Sequence, residues 1–272
     1  MFFKAKDLMT VGNISGGIAT MLVAMEGMGL PADAPLEQVR TCLFWSGFGI
    51  LVAFFFDSFD GVVARALKQM NKFGAEFDNV ADLVAYSVAP AFLVYLAYRR
   101  GTVLPGLEGR PDIQAAIAVV LAAIPIISGC IRFARFNVRR LDVPAFFIGF
   151  PRPASALTTV ALVNGHLFQA TPWMAWVGVP MLLLLGAMNL SLVPFIGHHG
   201  RQWSWYLKVI LNFVWFSVAF SVVFGVFLDW LPRNLAFDWT LFWLCCYLFI
   251  GWTDISTESR RRIRQITRDW NL

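Results

Sequence analysis

The sequence predicts an all-α fold: a polytopic membrane bundle of about eight transmembrane helices with both termini cytoplasmic. Three observations lead there. The 272 residues are 58% hydrophobic and only 14% charged, with a mean hydropathy of +0.64, whereas a soluble domain is nearer about 25% charged. Apolar runs long enough to cross a bilayer, which takes about 20 residues, recur along the whole chain. Lysine and arginine are also distributed unequally between the two sides that those runs define. With the termini inside, Arg40, Arg99, Arg100, Arg110 and Arg233 fall outside and all other lysines and arginines fall inside, as the positive-inside rule requires.

The runs are 8–30, 41–63, 79–98, 113–131, 153–171, 174–195, 206–229 and 236–253. The first opens on Thr10, Gly12, Asn13, Ser15, Gly16 and Gly17, with Thr10 and Asn13 on one helix face. Such residues serve either close interhelical packing or contact with a polar ligand head. The second run ends in Asp57 and Asp60, and the third begins with Asp78 and Asp82. Tyr86 lies one turn beyond Asp82. Pro90, one turn further, predicts a kink, and Ser87 faces either packing or a cavity. The fourth run ends in I-R-F-A-R-F-N-V-R-R. Arg139 and Arg140 read as well as an inner-surface cluster that attracts anionic lipid. Arg132 and Arg135, interleaved with Ile131, Phe133 and Phe136 on the helix itself, are functional candidates.

Gly149-Phe150-Pro151-Arg152-Pro153 reads as a rigid re-entry into the fifth run, which Asn164 and His166 interrupt. His198 and His199 read as a solvated loop, and Trp203, Trp205 and Tyr206 as an interfacial aromatic belt. The last two runs read as lipid-facing scaffold. Cys42, Cys130, Cys245 and Cys246 lack metal or redox spacing and read as reduced packing residues. The net charge of +5 and pI near 9.2 would suggest nucleic acid for a soluble protein. Here the positive-inside rule accounts for them, and no nucleic-acid partner is expected. The start, M-F-F-K-A-K-D, shows no cleavable signal peptide. Residues 1–272 thus read as one integral-membrane domain of the inner membrane. Its catalytic core is about 8–195, residues 206–253 are peripheral, and 254–272 form a basic cytoplasmic tail on the anionic leaflet.

The functional signal is concentrated between Asp57 and Asp82. Asp57 and Asp60 are spaced i, i+3, and Asp78 and Asp82 i, i+4, so each pair shares a helix face. If the two helices meet as a hairpin, four carboxylates converge at the cytoplasmic end. They would repel strongly without a cation between them, and hard oxygen ligands suit Mg²⁺ or Mn²⁺. Gly61 and Ala64 continue the face of Asp57 and allow close approach of a flat group. Arg65 follows, and an arginine fork beside metal ions suits a phosphate.

Asp57, Asp60, Gly61, Ala64, Arg65, Gly74, Asp78 and Asp82 match D-x2-D-G-x2-A-R-x8-G-x3-D-x3-D, which resembles the signature of the CDP-alcohol phosphotransferase family. F-G-A-E-F-D-N-V-A-D-L-V-A-Y-S-V-A-P-A, R-F-A-R-F-N-V and F-I-G-F-P-R-P-A-S-A together resemble its phosphatidylserine synthase branch, although Tyr86-Ser87 and Phe150 depart from the usual Phe-Gly and Leu. The resemblance implies transfer of a phosphatidyl group from CDP-diacylglycerol to L-serine, releasing CMP, in a homodimer embedded in membrane lipid. It implies two divalent ions held by Asp57, Asp60, Asp78 and Asp82, with Asp82 also the general base. It assigns the CDP group to Gly61, Ala64, Arg65 and Gly74, and Asn13 is a candidate for the same pocket. Arg132 or Arg135 would take the acceptor's carboxylate, and would equally suit the phosphate of glycerol 3-phosphate or of an inositol phosphate. A transporter whose aspartates bind a proton or cation is the competing class. It leaves Gly61, Ala64, Arg65 and Gly74 without a purpose.

Overall fold

A computed structural model of the chain describes residues 7–66, 72–138, 146–196 and 233–253, with isolated positions at 209, 216, 225, 261 and 265. Nearly all of the seventh run and of the tail, together with His198, His199, Trp203, Trp205, Tyr206, Arg139 and Arg140, lie outside the described residues. Those described are mainly helical: α1 (Asp7–Gly29), α2 (Leu36–Ala66), α3 (Lys72–Gly101), α4 (Pro111–Val138), α5 (Arg152–Asn164), α6 (His166–Ala170), α7 (Pro172–Leu190) and α8 (Arg233–Thr253). Among the described residues, five spans are long and apolar enough to cross a membrane: α1, Leu36–Phe59 of α2, α3, α4 and α7. Large side chains such as Val120, Trp173 and Phe55 are exposed on their outer faces. Thr20, Ser46, Gln114, Thr158 and Asn164 are buried inside, the distribution suited to an apolar solvent.

α1 and α2 run antiparallel along a seam of small residues. A Cβ on Gly16 would stand 2.7 Å from the Ala53 nitrogen and 2.7 Å from the Gly49 carbonyl oxygen. The Thr20 hydroxyl donates to the Ser46 carbonyl at 2.9 Å, and the Ser46 hydroxyl returns a bond to the Thr20 carbonyl at 2.9 Å. α3 packs on the other side of α1, where a Cβ on Gly17 would lie 2.8 Å from Ala85 Cα. With no hydrophobic drive between helices in lipid, such close approach supplies the association energy.

α3 is interrupted by π-helical turns at Val84–Val88 and Ala97–Gly101. The first directly precedes Pro90, and the Ala89 N–H donates to Val84 O. Widening the turn relieves the clash of a proline ring with the carbonyl four residues back. The kink expected at Pro90 thus takes the form of a π turn.

The fifth run does not form one continuous helix. α5 ends at Asn164, Gly165 is extended (φ −64°, ψ 149°), and α6 restarts at His166. The Asp238 carboxylate of α8 accepts the N–H groups of His166 and Leu167 at 3.0 and 3.3 Å. Those two donors open a helix and have no intrahelical partner. A second departure is a small antiparallel ribbon, β1 (Phe146–Ile148) with β2 (Pro194–Ile196), pairing Phe147 with Phe195. It leads into the expected re-entry turn. Gly149 has φ +76°, and a Cβ there would lie 2.5 Å from Arg132 Nη1 and 2.8 Å from the Ser191 carbonyl. The four cysteines are free thiols, with Cys130 exposed on α4.

Helix ends inside the bundle are closed by side chains from neighbouring helices. Arg100 donates to the carbonyls of Met28, Leu30 and Pro31 at the end of α1. Gln114 Nε2 donates to the Tyr98 and Thr102 carbonyls at the end of α3, at 2.9 and 2.7 Å.

Replacement Gly16→Ala forces α1 and α2 apart. It should cost about 1–3 kcal/mol of stability, read as a lower unfolding temperature in detergent. Gly109→Ala, where an added Cβ meets nothing within 4 Å, should leave that temperature unchanged.

Candidate active site

Three helices supply the site at one end of the bundle. α2 contributes Asp57; α3 contributes Asp78, Asp82 and Tyr86; α1 contributes Asn13. One carboxylate oxygen from each of Asp57, Asp78 and Asp82 lies within 4.8 Å of the others, all three groups being partly buried. Two like charges about 4 Å apart repel by roughly 4 kcal/mol at an effective dielectric constant of about 20. The cluster therefore needs compensation.

Part of that compensation is visible. The buried Tyr86 hydroxyl donates to Asp57 Oδ2 at 3.0 Å, reaching it from within the π turn. Asn13 Nδ2 donates to Asp82 Oδ1 at 3.1 Å. Arg152, the first residue of α5, brings a guanidinium Nη2 to 3.4 Å from Asp82 Oδ2. Among the described residues, Asn13 Oδ1 and Thr10 Oγ1, on the same buried face of α1, have no hydrogen-bond partner. Three converging carboxylates are the donor set that a hard divalent cation such as Mg²⁺ or Mn²⁺ takes, so the residues present fit one.

Among the remaining expected site residues, Gly74 is buried in α3. Asp60, Gly61, Ala64 and Arg65 belong to the last turns of α2, and their side chains lie outside the described residues. Asp60 follows Asp57 by three residues and so shares its helix face. Arg132 Nη1 donates to the carbonyls of Ile148 and Asn189 at 2.9 and 3.0 Å, and Arg135 Nη1 to that of Leu190 at 2.7 Å. Both arginines thereby close the end of α7, and Arg132 also ties down β1.

Two participants were not singled out from the sequence. For Tyr86 the sequence shows only a place one turn beyond Asp82, because its hydroxyl partner sits 29 residues earlier in the chain. Arg152 read as one more inner-surface charge. A usable signal was present at Arg152: a cation at the start of a helix opposes the macrodipole, and the prolines on either side fix it there.

Comparison with known proteins identifies the chemistry associated with this arrangement. Residues 5–187 match the family described as CDP-alcohol phosphatidyltransferase. A CDP-diacylglycerol–serine O-phosphatidyltransferase of Helicobacter pylori is 30% identical over 194 residues, covering 66% of this chain and 74% of the relative. One from Methanocaldococcus jannaschii is 27% identical over 186 residues, covering 65% and 79%. An archaetidylserine synthase of Methanothermobacter thermautotrophicus is 28% identical over 186 residues, covering 67% and 68%.

Tyr86→Phe removes the donor that orients Asp57 and keeps the ring. Half-maximal thermal stabilisation by added MnCl₂ should then require about tenfold more cation, with the unfolding temperature in EDTA little changed.

Proposed function

This chain belongs to the CDP-alcohol phosphatidyltransferase family, and we propose that it transfers a phosphatidyl group from CDP-diacylglycerol to L-serine, giving phosphatidylserine and CMP. The observation that carries the reaction is the convergence of Asp57, Asp78 and Asp82 on one point. Serine as acceptor is supported by the names of the relatives, each of which contains it.

In this reading the acidic cluster, with Asp60 as the fourth carboxylate, holds two divalent ions, Mg²⁺ or Mn²⁺. When bound, such ions neutralise charge on the pyrophosphate and on departing CMP. The chain's own residues do the rest. Asn13, Gly61, Ala64, Arg65 and Gly74 receive the CDP group, Arg65 through its fork on the phosphates and the small residues by letting the nucleotide approach closely. Asp82 accepts the proton of the serine hydroxyl as that oxygen bonds to the phosphorus bearing the diacylglycerol. The bond from that phosphorus to the CMP oxygen breaks in line, and CMP leaves with the electron pair. Arg132 and Arg135, the acceptor-binding candidates of the sequence, close the end of α7 through their Nη1 groups and contribute positive charge to the acceptor side from there.

The reading places the site at the cytoplasmic face of the inner membrane, with eight spans and both termini inside. The lysine and arginine distribution supports that orientation. The family match, which ends at residue 187, supports a catalytic core of about 8–195 with residues 206–253 peripheral and 254–272 a surface-bound tail. The working unit is a homodimer.

The test is CMP release by purified protein in detergent with CDP-diacylglycerol, Mg²⁺ or Mn²⁺, and L-serine, glycerol 3-phosphate, inositol phosphate or no acceptor. Release should depend on both serine and metal and stop with EDTA. Release with another acceptor alone would overturn the serine assignment. Asp57→Asn and Asp78→Asn should abolish activity together with cation binding. Asp82→Asn should lower turnover by about a hundredfold or more while sparing nucleotide binding more than the other two. Full activity in any of the three would contradict its role.

A further inference from the structure

The acceptor must bring its hydroxyl to Asp82. In a β-hydroxy amino acid the hydroxyl and carboxylate oxygens lie only about 3–4 Å apart by ordinary bond lengths. The cation that takes the carboxylate must therefore stand close to Asp82. Arg132 and Arg135 do not meet this condition well, since their Nη1 groups are directed at the backbone carbonyls of Ile148, Asn189 and Leu190. Those carbonyls end a helix and would lose their partners if the arginines left. Arg152 does meet it. Its guanidinium reaches Asp82 Oδ2 at 3.4 Å and the Asn79 carbonyl at 3.5 Å, both at the long limit of a hydrogen bond. A guanidinium carries five N–H donors in a rigid fork, so two long contacts hold it loosely. Its side chain is 12% exposed, enough for a small solute to touch. Its backbone is fixed, because Pro151 precedes it, Pro153 follows it and α5 starts there.

We propose that Arg152 is the carboxylate-binding residue of the acceptor site, exchanging its loose contact with Asp82 for a bidentate pair with the incoming amino acid. The inference rests on the serine reading above and deepens it. In the resting enzyme Arg152 balances part of the charge of Asp82. On arrival of serine the fork turns to the substrate carboxylate, whose geometry matches it. Asp82 Oδ2 then faces the hydroxyl, with the hydroxyl and carboxylate of a single small molecule bridging the two residues. Arg152 thereby selects for an acceptor that carries an anionic group next to its reacting arm.

The experiment compares L-serine with L-serine methyl ester, which keeps the hydroxyl and ammonium and masks the carboxylate, on the full-length enzyme with CDP-diacylglycerol and Mn²⁺. In Arg152→Gln, KM for serine should rise about ten- to hundredfold, KM for CDP-diacylglycerol should hold within about twofold, and the preference for serine over its ester should collapse. Arg152→Lys keeps the charge and loses the fork; it should recover part of the preference, and it carries the same test if the glutamine variant does not fold. Equal loss of turnover on both acceptors, with the preference retained, would overturn the inference and leave Arg152 as support for Asp82. Collapse of the preference in Arg132→Gln instead would overturn it in favour of that arginine. CMP release by the native enzyme with no dependence on serine would overturn the serine reading itself, a result separable from both.

Discussion

Three carboxylates within a few ångströms of one another are the constraint around which this end of the molecule is arranged. Helices must come close enough to bring Asp57 of α2 against Asp78 and Asp82 of α3, and α1 must lie near enough for Asn13 to donate a hydrogen bond to Asp82. Side chains of ordinary size along the seams would prevent that. Gly12, Gly16, Gly17 and Gly49 are placed where a Cβ would run into a neighbour. The packing seam and the chemical site are thus one construction. The glycines set the helix separation, and the separation sets where the carboxylates meet.

A second demand comes from the surroundings. Within hydrocarbon every peptide group needs a partner inside the protein, and helix ends leave several without one. The arginines and amides that close these ends come from other helices: Arg100 for α1, Gln114 for α3, Arg132 and Arg135 for α7. Asp238 does the same for the start of α6. Each bond joins two separate helices or the loop between them, so each also fixes their mutual height. Arginines near a membrane site therefore divide into those that hold the scaffold and those left to meet a ligand.

Much of this was legible in the sequence, for identifiable reasons. Apolar runs, helical carboxylate spacing and the fixed signature from Asp57 to Asp82 are local properties, and α1, α2, α3, α4 and α7 follow from them. The break at Gly165 was foreshadowed by Asn164 and His166. The β1–β2 ribbon was not legible, because three-residue strands pair across nearly fifty residues of chain. The partners of Tyr86 and Arg152 were hidden for the same reason. A hydrogen bond between Tyr86 and Asp57 depends on the extra residue of a π turn, which shifts the register that a regular 3.6-residue period would predict.

The length of α2 has a consequence for how reactants meet. Its 31 residues span about 46 Å, well beyond the roughly 30 Å of bilayer hydrocarbon, and Asp57 lies two to three turns from its end. In the proposed orientation the carboxylates stand near the depth at which lipid headgroups lie. A lipid-linked donor can reach them by lateral diffusion, with its tails never leaving the leaflet. Encounter with that donor is then a two-dimensional process, governed by its mole fraction in the surface and not by its amount per volume, while the second reactant obeys ordinary bulk concentration.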